Sequence, residues 1–474
     1  MATTAFFAVQ RWRQSNASQP IRSVAILPLT NLSGDPSQQY FADGMTEELT
    51  NELGQVTSLR VTSRTSTMSY KETKKNLLEI GRELNVDGIV EGSVEREGNR
   101  VRVTTQLIDA RNDKRIWAHS YEREMTSVLG LEGDVARAIA EQIQIELTPQ
   151  QQVRFSSTQR VNPEAVDLYL QAVQRFNTGN PKAAAELLHR SIEKDPGYAP
   201  AHVSLASAYG WMGEAGLMPY GQAFSFQKAE ALKAIALDDS RAEPHLDLGF
   251  AALNQEWDWT TPAREFSRAL ELNPNSAPVL WANAYYMVRI GRANEAIREA
   301  KLALQLDPVS TDSYMNTGFI FYYAHQYDQA LAQIQHAEGM HPDPTQLLFP
   351  MGVIDVEKGL YDEGIQEFKK IGDWPHALGH MGNAYARQGH AAEARGILPK
   401  LTEHIEKTGV GRYEIALVYA GLKDKDSAFD WLEKAYQVRD KGLTYLKIDP
   451  CLDPLRSDPR FQSLLQRVGF PTNK

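Results

Sequence analysis

Acidic side chains cluster in the stretch DGMTEEL, where Asp43, Glu47 and Glu48 lie within about two helical turns of one another. Such a group could bind a metal ion or act in acid–base catalysis. Acidic residues in the first turn of a helix have a simpler explanation, because the positive end of the helix dipole favours negative charge there. We therefore assign these carboxylates to helix stabilisation.

The other reactive side chains lack the partners that catalysis needs. His119 lies near Trp117 in a predicted strand, without a second histidine at metal-ligand spacing. Cys451, the single cysteine, has no histidine near it in the sequence. Neither a Gly-rich phosphate loop nor a strand followed by GxGxxG is present. The sequence predicts no catalytic residue, no metal site and no cofactor, and hence a chain that is not an enzyme.

Aromatic side chains are the better candidates for a functional surface. If their helices line a concave groove, the residues that face it recur at positions i, i+4 and i+7 of each inner helix. The predicted groove residues are Trp281, Tyr285, Met315, Phe319, Tyr322, Tyr323, Asn383 and Arg387. Exposed apolar patches mark interaction sites, so this set predicts a surface that binds a protein or peptide. In the alternative interpretation the rings are core, because the array is tight or another segment fills it.

A 34-residue period supplies the helices that would position those rings. ALELNP ends at Pro274, LALQLDP at Pro308 and GMHP at Pro342, each 34 residues after the previous one. This is the spacing of tetratricopeptide repeats, in which helix pairs bury their apolar faces by stacking on their neighbours. Small residues such as Gly318 and Gly382 stand in the first helices where two helices must approach closely.

The repeats are predicted to span residues 163–440 as about eight units, followed by a C-terminal cap at 441–474. Residues 210–226 form an insertion rich in Gly, Met and aromatics. It is a lid over the groove, a contact for the first domain, or a longer helix that packs on its own array. The prolines of the cap are expected to keep its first half extended, and Pro459 to begin a short closing helix.

The chain before the repeats alternates between strand and helix patterns. The apolar run SVAILPL predicts a buried strand, and the spacing of Phe41, Met45, Leu49 and Leu53 predicts an amphipathic helix. VRVTTQLID and KRIWAHSY predict an antiparallel hairpin at one edge of the sheet, and a final helix extends to Leu147.

These patterns together predict the fold class and the domain boundaries. Residues 21–150 form an α/β domain with a mixed sheet, and 151–162 form a linker to the repeats. The predicted fold class is therefore α+β, with an N-terminal α/β domain followed by an all-α tetratricopeptide superhelix.

The charge and the N-terminal residues bear on partners. The net charge of −10 is spread along the chain, which argues against a nucleic-acid partner because phosphate binding needs concentrated positive charge.

Residues 2–9 are apolar and are followed by Arg11, Trp12 and Arg13, as at the water-side end of a transmembrane helix. The run is shorter than the roughly 20 residues that span a bilayer. We interpret 1–20 as a truncated membrane-helix end and linker, so this chain contacts a membrane only if a longer N-terminal helix exists.

The first domain resembles the TolB amino-terminal-like (FlgO-like) domain. The resemblance rests on ILPLTNLSGDPSQQYFADGMTEELTNEL, LRVTSRTSTMSYK, LNVDGIVEGSVEREGNRVRVTTQLIDA and RIWAHSYERE. The remainder, with WDW, YEIALVYAGLKDKDSAFDWLEKAY and DPLRSDPRFQSLLQRVGFP, looks like the repeat array that follows this domain in many bacterial proteins. In that family a winged-helix DNA-binding domain or a class III adenylate cyclase precedes one membrane helix and then this pair of domains. The resemblance implies an extracytoplasmic half that senses a signal or binds a protein.

Three functional hypotheses follow. The first is a non-enzymatic module that binds a protein or peptide in the groove, as the periplasmic or membrane-anchored sensory or scaffold part of a bacterial signalling or transcription-regulatory system. The second is a soluble cytoplasmic assembly adaptor. The third is the C-terminal part of an adenylate cyclase-type protein whose catalytic domain is absent from this sequence. The ligand and the oligomeric state stay open.

Overall fold

The structure is a computed structural model that describes residues 20–156, 160–340 and 344–471, without the side chains of Leu129, Gln150 and Pro344. The chain divides into two units, residues 1–160 and 161–474. The expected membrane-helix end, with its apolar run and its Arg-Trp-Arg, lies outside the described residues. No helix in the described ranges is both long and apolar enough to cross a bilayer.

Six strands form one mixed sheet in the described part of the first unit. They are β1 (Ser23–Ile26), β2 (Thr30–Asn31), β3 (Arg60–Val61), β4 (Gly88–Glu97), β5 (Arg100–Asp109) and β6 (Lys114–Glu124). β1 pairs in parallel with β3 and β4, β2 pairs in parallel with β4, and β4, β5 and β6 form an antiparallel meander. β1 is buried throughout, as its apolar run predicts.

Five α-helices accompany this sheet among the residues described. They are α1 (Gln39–Gly54), α2 (Arg64–Met68), α3 (Leu77–Glu83), α4 (Val128–Gln142) and α5 (Pro149–Phe155). The stripe Phe41, Met45, Leu49 and Leu53 of α1 is buried, as its spacing predicts. The last predicted helix ends before Leu147, because Gln144 has a φ of 59° and an α-helix of L-residues cannot continue through that conformation.

Part of the expected linker at 151–162 is helical. Thr148 and Gln151 form a capping box at the start of α5, so the local sequence specifies a helix there. Arg154 of α5 makes two hydrogen bonds to the carboxylate of Glu52, at 3.1 and 2.7 Å, and Phe155 is buried. Residues up to 155 therefore pack on the first unit.

Eight helix pairs make up the described part of the second unit. They are α6 (Pro163–Asn177) with α7 (Pro181–Lys194), α8 (Ala199–Glu214) with α9 (Tyr220–Leu237), α10 (Glu243–Ala251) with α11 (Thr260–Leu272), α12 (Ala277–Arg289) with α13 (Ala293–Leu306), α14 (Thr311–Tyr323) with α15 (Tyr327–Glu338), α16 (Pro344–Glu357) with α17 (Tyr361–Ile371), α18 (Pro375–Gln388) with α19 (Ala391–Thr408), and α20 (Arg412–Gly421) with α21 (Lys425–Gln437). A small mixed sheet followed by a long all-helical superhelix confirms the predicted fold class.

Residues 441–470 follow the last pair, and we name them the closing segment. It holds two short 3₁₀ helices, Lys441–Tyr445 and Pro450–Leu455, and the helix α22 (Pro459–Val468). The first half is therefore not extended as predicted, because a 3₁₀ turn can include the prolines at positions where no backbone N–H is needed. Pro459 lies in the first turn of α22, as predicted.

Small residues in the first helices allow close helix packing in two ways. A Cβ atom on Gly318 of α14 would lie 2.7 Å from Cδ1 of Ile334 in α15, its own pair partner. A Cβ atom on Gly382 of α18 would lie 2.6 Å from Cγ2 of Val418 in α20, the first helix of the next pair. The same sequence signal thus serves packing within a pair and packing between pairs.

The insertion at 210–226 forms the end of α8, a turn and the start of α9. Met212 and Phe224 are buried, and Trp211 is 46% exposed. These features agree with the interpretation of longer helices that pack on their own array.

A buried carboxyl group joins the second and third pairs. Asp247 of α10 accepts hydrogen bonds from Oγ of Ser207, at 2.9 Å, and Nε2 of Gln227, at 2.8 Å. Burial raises the pKa of Asp247 to about 7. Since the unfolded chain loses this proton near pH 4, the free energy of unfolding should fall as the pH rises from about 4 to 7 and then level off.

The substitution Asp247→Asn tests this assignment, because the amide keeps the shape and cannot ionise. We expect the loss of unfolding free energy between pH 5 and pH 8 to be smaller in the variant by about 2–3 kcal/mol. Urea unfolding followed by tryptophan fluorescence at both pH values measures the difference. Equal pH dependence in the two proteins would contradict a raised pKa for this carboxyl group.

Candidate ligand-binding cavity

The first helices of the later pairs line a cavity of about 520 Å³ in the second unit. Tyr285 of α12 and the row Met315, Phe319 and Tyr323 of α14 form one side. The lining continues with Phe349 of α16, Trp374 and His376 at the start of α18, His380, Tyr413 and Glu414. The closing segment adds Lys441, Tyr445 and Asp449, and α8 adds Glu214.

The rings of this wall contact one another in a continuous arc. The ring centroids of Tyr445 and Tyr323 are 5.1 Å apart, those of Tyr323 and Phe319 are 6.4 Å apart, and those of Phe319 and Phe349 are 6.2 Å apart. From Phe349 the arc continues to Trp374 at 4.9 Å and then to His376, also at 4.9 Å. Aromatic rings at these separations attract one another, and this attraction adds to the free energy gained by burying their apolar surface. The ring contacts therefore hold the arc in a defined shape.

The arc ends at a contact between a histidine and a buried carboxylate. Nδ1 of His376 lies 2.5 Å from Oε1 of Glu414, whose side chain is 2% exposed. Burial opposes the charged form, but the interactions with His376 outweigh it and hold the pKa of Glu414 below its usual value. Glu414 is therefore a carboxylate at neutral pH. Its other oxygen, Oε2, is buried and has no hydrogen-bond donor among the residues that the structure describes.

A second buried cluster lies at the closing segment. Tyr413 donates a hydrogen bond of 2.7 Å to Oδ2 of Asp449, and the thiol of Cys451 lies 3.4 Å from Nδ1 of His380. Burial raises the pKa of the Cys451 thiol well above its usual value and lowers the pKa of His380. Both groups stay neutral at pH 7, so this pair does not form the thiolate that nucleophilic catalysis requires.

The closing segment also contacts the second and fourth helix pairs through polar groups. Nζ of Lys441 lies 2.6 Å from Oε2 of Glu214, and Nζ of Lys447 donates to the carbonyl of Ile290 at 2.7 Å. The guanidinium of Arg289 donates to the hydroxyl of Tyr445, with its carbon 4.2 Å from the centre of that ring. These contacts join residues more than 150 positions apart in the chain.

An aromatic contact attaches the end of the closing segment. Nε1 of Trp259 donates to the carbonyl of Val468 at 3.0 Å, and the ring centroids of Trp259 and Phe470 are 4.3 Å apart. Trp259, Phe461 and Leu464 belong to one apolar cluster with residues of α20 and α21. The predicted cap therefore covers the last pair and also reaches back to the third pair.

The structure brings four of the eight predicted groove residues to the cavity. Tyr285, Met315, Phe319 and Tyr323 line it, and each is half-buried. The last three follow an i, i+4, i+8 row along α14, the ridge that helices commonly present to a neighbour. The prediction from the sequence used position i+7 instead, which is Tyr322 and lies on the adjacent row of α14.

The other four predicted residues do not line the cavity. Tyr322 is 2% exposed and packs on Tyr327 of its own pair, with ring centroids 6.0 Å apart. Trp281 packs on an apolar cluster that includes Leu306 and is not part of the cavity lining. The remaining two, Asn383 and Arg387, cross-link helices.

Asn383 and Arg387 each bond to a first helix of an adjacent pair. Asn383 is fully buried, and its Nδ2 donates to the carbonyl of Leu417 at 2.8 Å. Arg387 forms two hydrogen bonds with the carboxylate of Glu357. Buried polar side chains between tightly stacked helices form hydrogen bonds with the neighbouring helices. The repeat pattern alone does not distinguish such a side chain from one that faces the groove.

The acidic cluster of the first unit is held by ion pairs. Asp43 lies 2.7 Å from Nζ of Lys71, and Glu47 lies 3.3 Å from Nε of Arg64. The first turn of α1 holds no acidic residue, so the helix-dipole explanation was wrong. His119 is exposed on β6, with its ring centroid 4.6 Å from that of Tyr121.

Helix positions in the second unit repeat with the period read from the sequence. α12 and α14 begin 34 residues apart, at Ala277 and Thr311, and α11 and α13 end 34 residues apart, at Leu272 and Leu306. The helical unit is a tetratricopeptide-repeat array. Its cavity is lined mainly by the first helices of the fourth to eighth pairs and by the closing segment.

Comparison with known proteins finds partial relatives. No protein-family model matches the chain. A Rhizobium meliloti (strain 1021) protein named "Putative adenylate cyclase 3" is 40% identical over 187 residues, which are 39% of this chain and 32% of that protein. The transcriptional regulator HilA of Salmonella typhimurium is 22% identical over 288 residues, 59% of this chain and 50% of HilA. The chain thus matches a third to a half of the length of these relatives.

Among solved structures, a thermophilic tetratricopeptide protein of Thermus thermophilus is similar to part of the array. The match has 19% sequence identity and a TM-score of 0.34, and covers 39% of this chain and 94% of that protein.

Proposed function

We propose that the tetratricopeptide array binds a protein or peptide ligand and that the aromatic cavity is the centre of the binding site. The observation that supports the proposal is the cavity itself, a space of about 520 Å³ walled by an arc of rings from successive first helices. Protein interiors pack to the density of organic crystals, whereas sites for small ligands and anchoring side chains have volumes of about 300–1,000 Å³.

The cavity is suited to anchor residues rather than to a whole chain segment. Its rings come from rigid helices, and the closing segment fixes its far side through Lys441 and Tyr445. A preformed aromatic pocket loses little conformational entropy when it binds, so a few side chains inserted into it can contribute most of the affinity. The chain acts in this proposal by binding and not as an enzyme.

The proposed context is the sensory or scaffold half of a bacterial signalling or transcription-regulatory system, on the outer side of the cytoplasmic membrane. Two observations support it: the TolB-like pattern of the first domain, and partial relatives that are named as a cyclase and as a transcriptional regulator. Fusion of a reporter that is active only outside the cytoplasm tests the location. An inactive fusion that is made in full would favour a cytoplasmic adaptor.

Selection from a random dodecapeptide library tests binding in the cavity. We expect the full chain to enrich related peptides, and Phe319→Ala to weaken the enriched peptides by about 30-fold, because removal of a central aromatic anchor costs about 2 kcal/mol. Fluorescence anisotropy with a labelled peptide measures the affinity, and circular dichroism verifies that the variant is folded.

Trp281→Ala is the matched control, since Trp281 is an aromatic residue on a first helix that does not line the cavity. We expect its affinity to stay within a factor of about three. Failure to enrich any peptide, or equal losses in the two variants, would contradict the proposed site.

A further inference from the structure

The polar groups of the cavity give it an excess of negative charge. Among the described residues that line it, Glu214, Glu414 and Asp449 carry carboxyl groups, Lys441 carries an ammonium group, and His376 and His380 are histidines. Lys441 is engaged by Glu214 at 2.6 Å. Asp449 accepts from neutral donors, namely the hydroxyl of Tyr413 at 2.7 Å and the backbone N–H of Cys451 at 2.9 Å. His376 and Lys441 are therefore the basic groups of the lining that interact with Glu414, and Lys441 is shared with Glu214.

Glu414 is the carboxylate whose bonding is incomplete. Its Oε1 contacts His376, while Oε2 is buried without a donor in the part of the chain that the structure describes. A buried acceptor that lacks a partner destabilises the fold, and more so when it is charged, so its position at a cavity wall indicates a missing donor. The His376 ring that it holds is the last ring of the aromatic arc.

A second carboxyl group lies near Glu414, which itself interacts with His376 and Lys441. Asp440 directly precedes the closing segment, and its burial, together with the charge of Glu414, raises the pKa of Asp440 to about 6. His380 is neutral because burial lowers its pKa. Two cations outside the lining are engaged by other groups. The guanidinium of Arg289 packs on the Tyr445 ring and hydrogen bonds to its hydroxyl, and that of Arg387 pairs with Glu357.

The aromatic wall adds a second attraction for positive charge. The faces of Trp, Tyr and Phe rings carry negative charge density and attract ammonium and guanidinium groups, most strongly when water is excluded. Trp374 is the most exposed of the wall rings, at 41%, and it lies next to His376 and Phe349. An apolar stem can pack along Phe319 and Phe349 while its charged end approaches Glu414.

We propose that the cavity binds an organic cation, an ammonium or guanidinium group on an apolar stem, with Glu414 as its counter-ion and Trp374 as the ring that it packs against. This inference rests on the proposed function, where the cation is the side chain of a lysine or arginine in the bound peptide. A free amine offers the same chemistry, and the experiment separates the two sources.

Three isosteric probes measure the charge preference directly: 4-phenylbutylamine, 4-phenylbutanol and 4-phenylbutyrate. We expect the amine to bind the full chain at least 10-fold more tightly than the alcohol, and the carboxylate not to bind. Ligand-observed NMR titration gives the affinities, and quenching of tryptophan fluorescence reports occupancy of the cavity. Equal binding of amine and alcohol, or tighter binding of the carboxylate, overturns the inference.

Two carboxylate variants test whether Glu414 causes the preference for the amine over the alcohol. Glu414→Gln removes the charge at nearly constant shape, and we expect it to reduce the amine-to-alcohol ratio to below about twofold. The matched control is Glu357→Gln, since Glu357 is also a buried carboxylate in an ion pair, with Arg387, but does not line the cavity. The Glu357→Gln variant should keep the amine-to-alcohol affinity ratio of the unsubstituted chain. If Glu414→Gln fails to fold, Trp374→Ala decides, because this exposed ring can be removed with little effect on the core: an unchanged ratio there overturns the inference.

The peptide arm separates this inference from the function on which it rests. If selected peptides share a lysine or arginine, replacing that lysine by norleucine, or that arginine by citrulline, should weaken binding at least 10-fold. If no peptide is enriched but the amine binds, the proposed function fails and the ligand is a free amine. If peptides bind through the cavity without a basic residue, the function holds and the inference fails.

Discussion

Trp259→Ala is expected to lower the free energy of unfolding of the helical unit by about 3–5 kcal/mol, the usual cost of removing a buried tryptophan. Trp259 is 5% exposed, and its indole N–H donates to the carbonyl of Val468. Its own carbonyl accepts from the hydroxyl of Tyr286, and its ring packs on Phe470. Alanine would leave a cavity and an unsatisfied carbonyl at the point where the closing segment contacts the third helix pair.

Urea unfolding of the full chain measures this loss, and hydrogen exchange of residues 459–470 shows where it acts. We expect the amides of α22 to exchange faster in the variant, since the helix loses its contact with the third pair. Trp211→Ala is the control, because Trp211 is 46% exposed on the same array. If both variants unfold at the same urea concentration as the unsubstituted chain, the contact between Trp259 and α22 contributes no stability.

The repeat period predicted the parts of the site that depend on local spacing. Pro274 and Pro308 defined the register of the helix pairs, and the spacing of Met315 and Phe319 placed both residues on the cavity side of α14. Tyr285 was found in the same way. Residues with this spacing share one side of a helix because a helix fixes the direction of each side chain from its number in the turn.

Neighbouring rows on a helix are harder to separate. Tyr322 and Tyr323 are adjacent in the sequence, yet Tyr323 lines the cavity and Tyr322 is core. Which row faces the cavity depends on the angle at which successive helices cross, and that angle arises from the packing of all their side chains. Sequence period alone could not choose between the two tyrosines.

The contacts that close the cavity depend on residues far apart in the chain. Trp259 and Val468 are 209 positions apart, and Lys441 and Glu214 are 227 positions apart. No local pattern pairs such residues, and the cap was predicted only to cover the last apolar face. The charged residues Lys441 and Asp449 in the first half of the cap could have indicated these contacts. A segment that only covers an apolar face does not require such residues.

The same dependence explains why Glu414 and His376 were missed. They belong to different repeats, and each alone is an ordinary polar residue of a helix. Only the stacking of α18 on α20 brings Nδ1 of His376 to 2.5 Å from the carboxylate of Glu414. The chemistry of this site is a product of tertiary packing, whereas the part of the wall on α12 and α14 was named from the sequence.

Gly442→Ala is expected to displace the closing segment from the cavity. A Cβ atom at Gly442 would lie 2.3 Å from Cγ and 2.5 Å from Cδ1 of Tyr413, far inside van der Waals contact. Tyr413 cannot rotate away at low cost, because it is 5% exposed and its hydroxyl is bonded to Asp449. We expect a loss of about 3 kcal/mol in unfolding free energy, at the upper end of the usual cost of overpacking.

The substitution should weaken ligand binding as well, by at least 10-fold, since Lys441, Tyr445 and Asp449 all belong to the displaced wall. Gly396→Ala is the control: a Cβ atom there meets nothing within 4 Å, and alanine in the helix α19 should stabilise it slightly. Thermal unfolding and titration with 4-phenylbutylamine measure both effects. A variant that melts earlier but binds normally would mean that the closing segment stabilises the array without forming the site, whereas joint loss of both properties would show that folding of this segment completes the cavity.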